Sequence, residues 1–182
     1  MKILDGKKIS QDIKDELKIL VSNRLKKGLK KPHLAAIIVG NDGASLTYVG
    51  SKVKACDYVG YDSTLIKLEE SITEEFLLEK INNLNNNPNI DGFIVQLPLP
   101  RGIDEQKILL AIDPYKDVDG FHPTNFGRMS LEMESFIPAT PYGIIELLDR
   151  YEIETSGKDC VVIGRSNIVG RPISILLSQK SK

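Results

Sequence analysis

The sequence predicts an α/β protein whose first domain is built on a parallel sheet. Two observations carry this. The segments "LAAIIVG" (34–40) and "GFIVQ" (92–96) are short and continuously apolar, as strands covered on both faces are. Around them run stretches whose apolar residues recur every three or four positions, the spacing of amphipathic helices. Strand and helix alternating in this way build βαβ units with right-handed crossovers.

Taken in order, Ile13, Leu17, Leu20 and Val21 predict a helix over 10–25 that covers one face of the sheet. The first strand follows at 34–40, and "NDGAS" turns the chain into a helix carrying Tyr48 and Lys52 that gives way at Gly60. A β-rich "STLIKL" (63–68) is the second strand. Ser71 and Glu74 have the spacing of a capping box, after which Phe76, Leu77, Ile81 and Leu84 form a helical stripe closed by the asparagine-rich "NNLNNNPN". The third strand, 92–96, runs into "LPLP", whose prolines forbid further pairing, and a short helix is expected near 104–111. The second part changes character. "PATPYGIIELLDRYEI" (138–153) starts with prolines and continues as an amphipathic helix through Ile144, Ile145, Leu147 and Leu148. "GKDCVVIGRSNIVGRPISILL" (157–177) then reads as strand, glycine-bearing turn and helix, the opening of a Rossmann-type dinucleotide-binding domain.

Composition narrows the function. At 182 residues and 41% hydrophobic, the chain can bury one complete core and part of a second. Its 24 basic and 25 acidic residues give a net charge of −1, which leaves no electrostatic footprint for nucleic acid and favours a small neutral or anionic ligand. Cys56 and Cys160 form no CxxC, and with two histidines they predict no metal site but reduced thiols of the cytosol. "MKILDGKKIS" has no apolar signal region and no run has the length of a membrane span, so a soluble, cytoplasmic protein without membrane contact is expected.

Ligands of open parallel sheets bind beyond the carboxyl ends of the strands. That rule selects the turn and helix after strand one, Gln96 at the end of strand three, and "DPYKDVDGFHPTN" (113–125). Tyr48 and Lys52 are four apart and share a helix face, but a lysine stem covering apolar surface produces the same spacing. A short-chain dehydrogenase also uses Tyr-x-x-x-Lys, yet places its glycine turn before the pair, and here the turn follows it. In "VIGRSNIVGRP", Gly164 and Gly170 permit close backbone approach, Ser166 adds a hydroxyl, and Arg165 a planar cation suited to phosphate. Asp113, Asp117 and Asp119 lack the closing Glu of a calcium loop and suit a capped turn. His33 and His122 are expected to be structural or surface residues.

Five segments in this order, "TYVGSKVKAC", "DGFIVQLPLP", "DPYKDVDGFHPTN", "PATPYG" and "GRSNIVGRP", closely resemble the bifunctional methylenetetrahydrofolate dehydrogenase/methenyltetrahydrofolate cyclohydrolase family. The resemblance implies a folate-binding catalytic domain over 1–137 and the first part of an NADP-binding domain over 138–182. It implies Lys52, Tyr48 and Gln96 as catalytic residues, and Asp119, Tyr48 and Pro98 as contacts to the tetrahydrofolate substrate. Gly164, Arg165, Ser166 and Gly170 are implied for NADP, with Arg165 on the 2′-phosphate. The expected chemistry is NADP-dependent oxidation of 5,10-methylenetetrahydrofolate to the 5,10-methenyl compound and its hydrolysis to 10-formyltetrahydrofolate, in a homodimer paired through its cofactor domains. Two departures stand out: Ala139 replaces a cysteine common in the family, with little effect expected, and the chain stops at Lys182, so it is expected to be part of a longer protein. A folate-binding fragment or regulatory module without catalysis is the alternative.

Overall fold

The computed structural model describes residues 3–179. They divide into two compact units, Gln11–Asp117 and a second that joins residues 3–10 to residues 118–179.

The first of these holds the sheet. Three parallel strands, β1 (His33–Val39), β2 (Asp62–Leu68) and β3 (Gly92–Val95), lie in the order β2-β1-β3. In register, Ile37 faces Ile66 on one side and Val95 on the other. β1 is therefore central, and Ala35 through Val39 are all buried, which explains why this segment is apolar without alternation. Among the described residues β2 is an edge strand, and it keeps Leu65 and Lys67 exposed. Beside β3, Phe93 N–H donates to the carbonyl of Lys116 at 2.9 Å and Phe93 makes an isolated parallel bridge to Asp117, so the sheet gains a short rim there.

Helices precede and connect the strands. α1 (Gly6–Lys26) starts earlier than its apolar period suggests, because Asp5 accepts from Lys8 N–H at 3.0 Å and starts the helix in a polar first turn. α2 (Gly43–Val59) packs on β1 and β2 and ends at Gly60, in the left-handed region with φ 87°. α3 (Glu74–Asn85) and α4 (Glu105–Ala111) pack together, and Leu77, Ile81, Leu84 and Ile108 join Ile37, Phe93 and Val95 in one core.

The capping box expected at Ser71 and Glu74 is corrected. Thr73 caps α3 instead, its hydroxyl accepting from Phe76 N–H at 3.2 Å, because the chain is still turning at Glu69–Ile72. The Glu74 carboxylate reaches α4 rather than Ser71, accepting from Asp104 N–H at 2.9 Å and pairing with Lys107.

The other unit holds α5 (Pro123–Ser130), α6 (Ala139–Arg150) and α7 (Gly170–Ser178). α5 was not foreseen, since eight residues with few apolar positions give little periodicity. His122 caps it through Nδ1, which accepts from Thr124 N–H at 3.1 Å, and Pro123 begins it. The strand expected ahead of the glycine turn is also corrected: residues 158–166 form no strand, and Val161 and Ile163 are almost fully exposed. A strand needs a neighbour's backbone groups, and this unit contains no strand among the described residues to supply them.

Among the described residues, no helix is long and apolar enough to cross a membrane. No group of three or more His, Cys, Asp or Glu among them is placed to hold a metal ion.

Candidate functional site

The strand order makes the site legible from the backbone. From β1 the chain crosses to β2 on one side, and β3 lies on the other, so the segments leaving β1 and β3 diverge at the carboxyl end of adjacent strands. Such a divergence opens a crevice where ligands of parallel sheets bind. At the end of β1, Gly40 turns the chain at φ 80° and its N–H donates to Leu68 O at 2.9 Å. Asp42 then caps α2, accepting from Ser45 N–H at 2.8 Å. That backbone hydrogen bond, with a second from the Ser45 side chain, holds the Asp42 carboxyl below its ordinary range.

Ser45, Val49, Cys56 and Val59 are the buried residues of α2. Tyr48 and Lys52 lie on a neighbouring stripe, four apart, with Tyr48 65% exposed and Lys52 half-buried. The pair is therefore not part of the core. Burial of Cys56 raises its thiol pKa, with the nearby Asp57 charge adding to the effect.

At the end of β3, Gln96 N–H donates to Ile37 O at 2.9 Å, fastening the residue to the central strand. Its side-chain amide donates to Leu97 O at 2.8 Å. The Leu97–Pro98 peptide is cis and Pro98 is exposed. Leu99 N–H then bonds the Glu105 carboxylate at 3.1 Å, tying this loop to the start of α4. The sheet thus gathers Tyr48, Lys52, Gln96 and Pro98 onto segments that leave one end of two paired strands.

The three aspartates downstream have separate fates. Asp113 caps a turn, accepting from Tyr115 N–H at 2.9 Å, as a capped turn requires. Asp117 is 2% exposed beside β3, a burial that no periodicity in "DPYKDVDG" announces. Asp119 is half-buried and belongs to the other unit, as do the residues of the glycine turn. Gly120, which follows it, has φ 69°, and a Cβ there would stand 2.7 Å from the backbone of Ile137 and Pro138.

In the glycine turn, a Cβ on Gly170 would lie 2.5 Å from the carbonyl carbon of Gly164 and 2.7 Å from Arg165 N. Only glycine permits this approach of turn and helix, the packing role that a glycine has in dinucleotide-binding turns. Ser166 Oγ accepts from Val169 N–H at 3.1 Å and Gly170 N–H at 3.2 Å, so it organises the entry to α7. Arg165 is exposed alongside. The close approach at Gly170 and the exposed guanidinium fit the phosphate end of a dinucleotide.

A sequence model of the tetrahydrofolate dehydrogenase/cyclohydrolase catalytic domain matches residues 4–119, and one of the NAD(P)-binding domain of the same proteins matches 138–182. The chain belongs to the tetrahydrofolate dehydrogenase/cyclohydrolase family. Family relatives include the bifunctional protein FolD of Flavobacterium johnsoniae, 69% identical over 180 residues, covering 99% of this chain and 61% of that protein. The FolD protein of Porphyromonas gingivalis is 60% identical over 181 residues, covering 100% of this chain and 61% of its own length. The chain thus spans about 61% of the length of these curated relatives. Among solved structures of the family, the Campylobacter jejuni bifunctional enzyme superposes with a TM-score of 0.94 at 49% identity, over 97% of this chain and 63% of that one. The Trypanosoma brucei enzyme, solved with NADP and an inhibitor, superposes with a TM-score of 0.92 at 33% identity, over 97% of this chain and 61% of that one.

Proposed function

We propose that this chain provides the folate-binding catalytic part, residues 1–137, and the start of the NADP-binding part, residues 138–182, of a bifunctional one-carbon enzyme. Its reactions are oxidation of 5,10-methylenetetrahydrofolate to the 5,10-methenyl compound and hydrolysis of that product to 10-formyltetrahydrofolate. The observation that carries the reading is the Tyr48–Lys52 pair, outside the core on the helix leaving β1, with Gln96 on the segment leaving β3. Family membership supports it, and the matched segments, 4–119 and 138–182, suit the proposed division of labour.

In the hydrolytic step water adds to the bridging methenyl carbon, the bond from that carbon to N5 breaks, and N5 ends protonated while a second proton is released. Lys52 is the group proposed to accept and return these protons, with Tyr48 and Gln96 holding its amine and the substrate in line. Asp119 suits the pterin, because a carboxylate accepts two hydrogen bonds from an aminopyrimidine edge. Pro98 supplies an apolar contact. In the oxidative step a hydride leaves the one-carbon bridge, and NADP, when bound, supplies the acceptor. Gly164, Arg165, Ser166 and Gly170 would hold its phosphates, with Arg165 suited to a bidentate contact on the 2′-phosphate. The family resemblance further supports a homodimer working in the cytoplasm.

The test is loss of the 5,10-methenyltetrahydrofolate absorbance in the full-length protein, which needs no cofactor. Lys52→Met is expected to fall to the buffer rate while unfolding at the same temperature as wild type. Undiminished hydrolysis by the variant would remove Lys52 from the mechanism.

A further inference from the structure

Resting on the folate reading of Asp119, we infer that Gly120 is a positioning residue for folate, its missing side chain being what sets the Asp119 loop against the segment leading into α6. The argument is steric. A Cβ built on Gly120 would stand 2.7 Å from both Ile137 C and Pro138 N and 2.9 Å from Phe136 O. Carbon contacts this short do not occur in folded proteins, and all three atoms are backbone, so no rotamer change relieves them. Pro138 is fully buried and immediately precedes α6, which leaves that segment little room to retreat. Any side chain at position 120 must therefore move its own loop, and Asp119 is the adjoining residue.

Gly120 also has φ 69°, where other residues are strained. The two effects can be separated within this chain. Gly28 and Gly157 have the same φ of 69°, yet a Cβ on either meets nothing within 4 Å. Gly28→Ala and Gly157→Ala introduce the backbone strain alone, whereas Gly120→Ala introduces strain and crowding together. Gly120→Asn eases the strain, since asparagine tolerates the left-handed region, but retains the crowding Cβ.

The experiment measures KM and kcat for 5,10-methenyltetrahydrofolate hydrolysis in the full-length protein carrying each substitution, with thermal midpoints alongside. Expected is a KM raised about tenfold or more in both Gly120 variants, the scale of a lost charge-assisted hydrogen bond, with kcat held within about twofold. Gly28→Ala and Gly157→Ala should lower the midpoint and leave KM unchanged. Recovery of wild-type KM in Gly120→Asn would overturn the inference, because strain rather than crowding would then be the cause. So would Gly120 variants that fail to fold while both controls fold, since the glycine would then serve stability alone. Asp119→Asn distinguishes the underlying reading: if it raises KM and Gly120→Ala does not, only the positioning role fails; if it leaves KM unchanged, the folate assignment of Asp119 fails and the inference with it.

Discussion

Gly50 sits inside α2, two residues from each member of the Tyr48–Lys52 pair, and its replacement tests how that helix serves the site. A Cβ built on Gly50 meets nothing within 4 Å, so alanine brings no clash. Glycine in a helix interior costs about 1 kcal/mol relative to alanine, mainly in backbone entropy lost on folding. Gly50→Ala should therefore stabilise by about that amount, raising the unfolding midpoint by about 2–4 °C for a protein of this size. Each residue turns a helix by about 100°, so position 50 faces away from positions 48 and 52, and the new methyl should not approach either side chain. Thermal unfolding followed by circular dichroism at 222 nm, with the hydrolysis assay alongside, checks both halves. An unchanged or lower midpoint would refute the helix-interior argument. A higher midpoint with lost turnover would instead show that the site needs α2 to bend, and that the glycine was retained for motion.

Two further expectations concern titration and reactivity. Glu74 is held below its ordinary carboxyl range by the Lys107 hydrogen bond and then by Asp104 N–H, while Lys107 is raised by its hydrogen bond to Glu74 and then by that charge. The Glu74 contribution to stability is present above its ordinary pKa of about 4.3 and is lost as the pH falls through the lower folded value. The Lys107 contribution is present below about 10.4 and is lost as the pH rises through the higher folded value. Urea midpoints measured across pH should thus fall at both ends, and Glu74→Gln should flatten both falls; an unaltered profile would exclude the pair as their source. Cys160 is exposed, whereas Cys56 is buried with its thiol pKa raised by that burial, so a thiol reagent should label Cys160 at once and Cys56 only on unfolding. Mass spectrometry showing prompt labelling of Cys56 in the native protein would contradict this.

Local pattern sufficed where local forces decide. The strand at β1 was legible because burial on both faces leaves its mark in the residue types, α2 because a turn and Gly60 bound it, and α6 because its apolar residues recur at helical spacing. Asp104 at the start of α4 and Gly60 at the end of α2 follow from the chemistry of helix ends. The Thr73 cap was missed because its neighbourhood offers several competing cap residues, and the geometry of the preceding turn selects among them. α5 was missed because it is short and held by His122 and Pro123 rather than by a stripe.

By itself, the sequence determined the parallel α/β class, the helix bearing Tyr48 and Lys52, the glycine turn at 164–170 and, through five ordered motifs, the family. These depend on residue types at fixed short spacings. The tertiary structure alone decided the order β2-β1-β3, which sets the helix leaving β1 and the loop leaving β3 at one sheet end. It alone buried Asp117 beside β3 and brought the 136–138 backbone against Gly120. It also left 158–166 without strand pairing despite the apolar "VVI". The reason is common to all four: strand order, burial and close backbone approach depend on partners distant in sequence, whose presence no local period records.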